Sequence, residues 1–142
     1  MGVIFPCLQP VEKLTSGKET WQILVVDDEP AVCEAIKMLL ECDGHKVQTA
    51  NGGREALAIL EQDKFDLVTT DFSMSGMKGD TLAAAIKQRL PNQPVLMISA
   101  NAAIAQAAGN PLPGVDMVIG KPFLLEDLRK AIDRLKSKRP PN

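Results

Sequence analysis

The chain has 142 residues, of which 45% are hydrophobic and 24% are charged, and its formal net charge is −2. Because domains of about 150 residues are typical, this length predicts one globular unit with at most a short extension. The composition excludes collagen-like, coiled-coil and wholly disordered chains. A nucleic-acid binder needs excess basic charge to neutralise phosphates, so we expect no direct contact with nucleic acid.

The predicted elements begin after a segment without hydrophobic periodicity. Residues 1–20 mix proline, glycine and polar residues, which predicts a linker or an irregular N-terminal extension. Residues 21–137 form the predicted domain, and residues 138–142 are expected to be a tail.

Five short stretches of this domain are rich in apolar or β-branched residues, as in strands buried within a parallel sheet. They are residues 23–26, 46–50, 65–70, 95–98 and 115–119. Between them, apolar residues recur at helical spacing. Pro30 suits the first turn of the first helix, and Gly44 and Pro91 follow the ends of the first and third helices.

The fourth of the five predicted helices is short. Residues 101–108 are rich in alanine, but the glycines and prolines of residues 109–114 cannot continue a helix. The last helix is predicted around residues 125–135. Regular alternation of strand and helix, with right-handed crossovers, predicts a doubly wound α/β domain with a five-stranded parallel sheet and helices on both faces.

The cysteine pattern and hydropathy predict a cytoplasmic protein that does not bind membranes. Cys7, Cys33 and Cys42 form no CxxC motif, and their odd number cannot give a closed disulfide framework, which favours a reducing compartment. No stretch approaches the roughly 18 apolar residues of a membrane span, and no secretion signal is recognisable.

Polar residues that can bind ligands or take part in a reaction stand where the predicted strands end. Asp27 and Asp28 follow the first strand, Asp71 the third and Ser99 the fourth, and Lys121 follows the fifth. In an open parallel sheet, ligands bind beyond the carboxyl ends of the strands. We therefore expect these five side chains at one edge of the sheet.

Three neighbouring carboxylates repel one another unless a cation intervenes. Mg²⁺ suits such a site because it binds few protein carboxylates, keeps several waters and commonly bridges to phosphoryl oxygens. A carboxylate beside it can act as a nucleophile towards phosphorus, with Lys121 and Ser99 supplying a positive charge and a hydroxyl donor. The sequence thus indicates phosphoryl transfer to an aspartate.

Four motifs in this order resemble the response-regulator receiver family of two-component signalling, over residues 21–136. The motifs are Val25-Val26-Asp27-Asp28-Glu29, Asp71-Phe72-Ser73-Met74 with Met77 and Gly79, Ser99-Ala100, and Lys121-Pro122-Phe123. The resemblance implies a flavodoxin-like fold with strand order 2-1-3-4-5, an order that is known for a member of the family.

The resemblance implies that Asp71 accepts a phosphoryl group from a histidine kinase or a histidine phosphotransfer protein. Ser99 and Lys121 would contact that group, and the Lys121-Pro122 peptide would be cis. The protein would be a signalling phosphoacceptor that catalyses only its own phosphorylation and dephosphorylation, and not otherwise an enzyme. It would pass the signal to a downstream protein target.

The resemblance also implies a set of Mg²⁺ ligands. Asp28 and Asp71 would bind Mg²⁺ directly, Asp27 would act mainly through water, and the main-chain carbonyl of Ser73 would be a further ligand.

Two residues depart from the family pattern. Ser75 stands where the family often has proline, which predicts a looser loop after Asp71. Val118 stands where many members have an aromatic switch residue, so an aromatic rotamer cannot report phosphorylation here. The short fourth helix alters the face that many members use for dimerisation or for binding a target.

Two other functions share part of this sequence pattern. A phosphorylation-independent interaction domain of the same fold is compatible with Val118, although every acidic position of the site is filled. A Mg²⁺-dependent phosphatase with an aspartyl nucleophile would require Asp-x-Asp after the first strand, where this chain has Asp27-Asp28-Glu29. The chain is expected to be either a stand-alone regulator or the receiver of a hybrid kinase.

Overall fold

The computed structural model describes residues 20–100 and 114–138. Its strands, in chain order, are β1 (Gln22–Val26), β2 (Lys46–Ala50), β3 (Leu67–Asp71), β4 (Val95–Ser99) and β5 (Met117–Gly120). Its helices are α1 (Pro30–Cys42), α2 (Gly53–Gln62), α3 (Gly79–Arg89) and α4 (Leu125–Lys138). Each of these elements lies where the sequence pattern predicted one.

The five strands form one sheet with the order β2-β1-β3-β4-β5, and every neighbouring pair is parallel. This is the flavodoxin-like doubly wound fold, so the predicted fold class and strand order are confirmed. The order reverses at β1 and β3, because the chain proceeds outwards from β1 in one direction and from β3 in the other. A doubly wound domain binds its ligand at such a reversal.

A hydrophobic core lies on each face of the sheet, because alternate residues of a strand point to opposite faces. Ile23 and Val25 of β1 pack with α1 and α4, whereas Leu24 and Val26 pack with α2 and α3. All four of these side chains are buried. Burial on both faces explains why β1 and β4 are nearly continuous apolar runs, whereas the edge strand β2 alternates exposed and partly buried residues.

Two strands begin later than the sequence pattern predicts, and aspartates account for both differences. β3 begins at Leu67, because the Asp66 carboxylate turns back to accept the Gln22 amide at 2.8 Å. β5 begins at Met117, because the Asp116 carboxylate accepts the Val95 amide at 2.7 Å. Side-chain oxygens here compete with the ladder for backbone donors.

The predicted extension, the predicted short helix at residues 101–108 and the end of the tail lie outside the described residues. In the ranges that are described, no helix is both long and apolar enough to cross a bilayer. Cys33 is a free, buried thiol, whereas Cys42 is disulfide-bonded. The odd cysteine count did not predict that bond, so cysteine pairing lends no support to the expected reducing compartment.

Candidate functional site

Strand register brings the predicted site residues to the carboxyl edge of the sheet. Val26 pairs with Thr70, so Asp27 and Asp71, which follow them, are neighbours at the ends of β1 and β3. Ser99 pairs with Gly120 at the ends of β4 and β5, and the amide of the next residue, Lys121, donates to the Ser99 carbonyl at 3.0 Å.

Lys121 joins the strands at this edge through its side chain. Its Nζ lies 3.0 Å from Asp71 Oδ1 and 3.6 Å from Asp27 Oδ2. Burial tends to lower the pKa of this ammonium, but the hydrogen bond and charge of Asp71, together with Asp27, outweigh burial and raise the pKa. Lys121 is therefore cationic at neutral pH. The Lys121-Pro122 peptide is cis, as the resemblance implied.

Asp27 is the buried member of the carboxylate cluster, with a relative exposure of 2%. Burial is the main cause that raises its pKa, and the charges of Asp71 and Asp28 act in the same direction. The Glu29 amide, which donates to Asp27 Oδ1 at 3.0 Å, and Lys121 oppose this increase without cancelling it. Burial thus disfavours the ionised form of Asp27, and the two neighbouring carboxylates add to that effect.

Asp28 points into the loop between β3 and α3, where it meets Ser75. Its Oδ2 accepts the Ser75 amide at 2.8 Å and the Ser75 hydroxyl at 3.0 Å. These two bonds hold the pKa of the Asp28 carboxyl below its usual value. Serine donates two hydrogen bonds across the site here, whereas proline has no amide hydrogen to donate. The looser loop expected from the missing proline stays a prediction.

Gly79 allows α3 to begin directly against the backbone of Asp71. A Cβ at this position would lie 2.1 Å from the Asp71 carbonyl oxygen and 2.9 Å from Phe72 Cα. The Gly79 amide also donates to the Phe72 carbonyl at 3.0 Å, which closes the base of the loop. The sequence singled out this glycine only as part of a motif, and the structure supplies its steric reason.

The remaining predicted residues lie in β4, in the loop after β3 and in β5. Ser99 is buried at the end of β4, with a relative exposure of 4%. Ser73 is exposed in the loop between β3 and α3. Val118 is half-buried in β5 and packs against the core on the α2 and α3 face.

The residues at this edge suit Mg²⁺, which keeps several waters, better than a metal ion that is coordinated by protein side chains alone. Within residues 20–100 and 114–138, no three His, Cys, Asp or Glu side chains are grouped closely enough to hold a metal ion. Mg²⁺ needs less, because it binds through one or two carboxylates and retains several waters. Two carboxylates, those of Asp27 and Asp71, share the Lys121 ammonium at 3.6 and 3.0 Å, and this set of oxygen donors favours a further cation here.

Comparison with known proteins agrees with this geometry. The sequence model of the response regulator receiver domain family matches residues 23–133 of this chain. The chemotaxis protein CheY-3 of Vibrio cholerae is 37% identical over 117 residues, which are 80% of this chain and 90% of that protein. The solved structure of the response regulator TrrA from Thermotoga maritima, in complex with Mg²⁺-BeF, has a TM-score of 0.73 and 29% identity, covering 80% of this chain and 97% of that one.

Other relatives are longer. The transcriptional regulatory protein GlrR of Escherichia coli is 35% identical over 111 residues, which are 78% of this chain. This chain spans 25% of GlrR and 46% of the response regulator MprA of Mycolicibacterium vanbaalenii. The match over residues 23–133 shows that the chain belongs to the response regulator receiver domain family.

Proposed function

We propose that this protein takes a phosphoryl group from the phosphohistidine of a sensor kinase or of a phosphotransfer protein onto Asp71, in a Mg²⁺-dependent reaction. The observation that carries the proposal is the contact of Lys121 Nζ with Asp71 Oδ1 at 3.0 Å, beside buried Asp27. A carboxylate nucleophile beside an ammonium, at a strand-order reversal where ligands bind, suits phosphoryl transfer to that carboxylate.

The reaction is a displacement at phosphorus. A carboxylate oxygen of Asp71 forms the new O–P bond while the bond between phosphorus and the imidazole nitrogen of the donor breaks. The electron pair of the broken bond leaves with the imidazole, which takes a proton from water. The product on this chain is an acyl phosphate, the intermediate that carboxylate nucleophiles form with phosphorus.

Side chains at the carboxyl edge share the work of this step. Lys121 is close enough to Asp71 to neutralise charge that develops on the equatorial phosphoryl oxygens, and the Ser99 hydroxyl would donate to one of them. Asp28, Asp71 and the Ser73 carbonyl would hold Mg²⁺, with Asp27 bound through water. When bound, Mg²⁺ supplies the positive charge that lets phosphate approach these carboxylates.

The protein is proposed to act as a signalling module in the cytoplasm, with a downstream protein as its target. It would catalyse only its own phosphorylation and dephosphorylation. Its family membership supports a histidine kinase as the upstream partner, and TrrA, solved with Mg²⁺-BeF, supports Mg²⁺ as the cofactor.

Incubation with acetyl phosphate and Mg²⁺ tests the proposal without the cognate kinase. We expect intact-mass spectrometry to show one added phosphoryl group on the wild-type protein, and no such adduct on Asp71→Asn or without Mg²⁺. Asp80→Asn is the matched control, because Asp80 lies in the first turn of α3 and its carboxylate accepts only a local amide, that of Thr81.

Two results would contradict the proposal. Equal labelling of the wild type and Asp71→Asn would place the phosphoryl group elsewhere. Absence of labelling, both by acetyl phosphate and by a phosphorylated histidine kinase, would favour the phosphorylation-independent interaction domain.

A further inference from the structure

Ser75 connects two loops that are distant in sequence but adjacent at the carboxyl edge. Its amide and hydroxyl both donate to Asp28 Oδ2, at 2.8 and 3.0 Å, across 47 positions of the chain. Hydrogen bonds to a charged acceptor are roughly twice as strong as those between neutral groups. The residue is exposed, so these bonds, and not packing, define its position.

The loop that carries Ser75 is held at both its base and its tip. At the base, the Gly79 amide donates to the Phe72 carbonyl at 3.0 Å. At the tip, Gly76 follows Ser75 with a positive φ of 75°, a conformation that glycine adopts readily. Between base and tip lies Ser73, whose carbonyl is a proposed metal ligand. Ser75 thus ties the segment that carries Ser73 to Asp28.

Both bonds use one oxygen of Asp28. Oδ2 accepts the two donors, and Oδ1 takes no part in the contact with Ser75. Carboxylates that bind metals are commonly hydrogen-bonded by outer partners that fix their orientation. A fixed carboxylate loses less conformational freedom when a cation binds.

We propose that Ser75 is a positioning residue of the metal site, which holds Asp28 through Oδ2, leaves Oδ1 for Mg²⁺ and keeps Ser73 beside it. This inference rests on the proposed function of the site. It assigns to this chain's Ser75 the task of organising two ligands before the cation arrives.

Mg²⁺ affinity measured by isothermal titration calorimetry is the main test. Ser75→Ala removes the hydroxyl donor and should weaken Mg²⁺ binding by about tenfold, the lower end of the cost of losing an outer partner. Ser75→Thr keeps both donors and should restore the wild-type affinity. Ser137→Ala is the matched control, because the Ser137 hydroxyl bonds only to carbonyls within α4. Unchanged or tighter binding by Ser75→Ala would overturn the proposal.

The dependence of labelling on Mg²⁺ separates positioning from a general loss of structure. For Ser75→Ala, we expect the Mg²⁺ concentration that gives half-maximal labelling by acetyl phosphate to rise by the same factor as the dissociation constant for Mg²⁺. The labelling rate at saturating Mg²⁺ should equal that of the wild type. A lower plateau with an unchanged half-maximal concentration would contradict the proposed role.

Amide hydrogen exchange without metal tests the contact itself. The Ser75 amide of the wild type should be protected, and Asp28→Ala should remove that protection while β3 remains protected. A Ser75 amide that exchanges freely in the metal-free wild type overturns the inference alone. A wild type that is protected at Ser75 but neither binds Mg²⁺ nor accepts a phosphoryl group overturns the proposed function as well.

Discussion

The two edges of the sheet use aspartate in different ways. At the amino edge, Asp66 accepts the Gln22 amide, and Asp116 accepts both the Val95 amide and the Lys87 ammonium, at 2.7 and 2.8 Å. These carboxylates are matched by donors that the fold supplies. At the carboxyl edge, Asp27 and Asp71 share the Lys121 ammonium, at 3.6 and 3.0 Å, and Asp28 accepts two hydrogen bonds from Ser75.

This difference separates structural carboxylates from those of a ligand site. Asp66 and Asp116 accept amides of neighbouring strands, so they join elements of the fold, whereas Asp27 and Asp71 share one ammonium at the ends of their strands. Burial, reinforced by the charges of Asp71 and Asp28, raises the pKa of Asp27, so its ionised form costs stability until a cation compensates it. Carboxylates that share one ammonium at a strand-order reversal are the arrangement that supports the proposed functional edge.

The largest expected effect is stabilisation by Mg²⁺. At a hundred times the dissociation constant, Mg²⁺ should add about 2.7 kcal/mol to the free energy of unfolding, if only the native state binds it. Asp28→Ala should lose most of this increment, whereas Asp116→Ala should keep it. Urea denaturation with Mg²⁺ and with EDTA measures both. If both variants lost a similar part of the stabilisation by Mg²⁺, the proposed difference between the two edges would be contradicted.

Asp116→Ala should instead destabilise the protein, whether or not Mg²⁺ is present. The change leaves the amide of fully buried Val95 without the carboxylate acceptor, at a cost of about 2 kcal/mol. Loss of the partly exposed ion pair with Lys87 adds little. The free energy of unfolding of Asp116→Ala in EDTA should be lower than that of the wild type, while its labelling with acetyl phosphate stays normal. A stable variant with impaired labelling would contradict the structural role.

The pH dependence of stability should differ between Asp27 and Asp28 in metal-free protein. The raised pKa of Asp27 means that its ionised form destabilises the native state at neutral pH, and this penalty disappears as the pH falls towards 3.8. Asp27→Asn should therefore be more stable than the wild type at neutral pH, by a margin that narrows on acidification.

Asp28 behaves in the opposite way. Because its pKa is lowered, its contribution is stabilising above 3.8 and is lost only as the pH falls through the lower native value. Asp28→Asn should be less stable than the wild type by a constant free energy of unfolding. That difference should not change over the pH range in which the extra stability of Asp27→Asn shrinks. Denaturation curves in EDTA at several pH values test this pair, and parallel pH profiles for the two variants would count against the assigned directions.

Much of the fold was predictable because local patterns and tertiary packing agree. The apolar run of residues 23–26 is buried on both faces, and Pro30 begins α1 as its position predicted. The late starts of β3 and β5 were not predictable, because they depend on the Asp66 and Asp116 carboxylates meeting amides of distant strands. Periodicity carries no information about such contacts.

The candidate site also has features that were predictable from the sequence and features that were not. Asp27, Asp71 and Lys121 could be placed together from sequence, because a parallel sheet brings strand ends to one edge. The contacts of Ser75 were not predictable, because comparison with a family pattern registers a missing proline and not the donors that replace it. The close approach of Gly79 to Asp71 likewise depends on where α3 starts in space.

The position of the phosphoryl group tests the central claim most directly. After labelling with acetyl phosphate and Mg²⁺, borohydride reduces an aspartyl phosphate to homoserine, which peptide mass spectrometry can locate. The account predicts homoserine at position 71 and unmodified aspartate at positions 66 and 116. Homoserine at either amino-edge position, or its absence from position 71 in labelled protein, would show that the carboxyl edge is not the site of phosphoryl transfer.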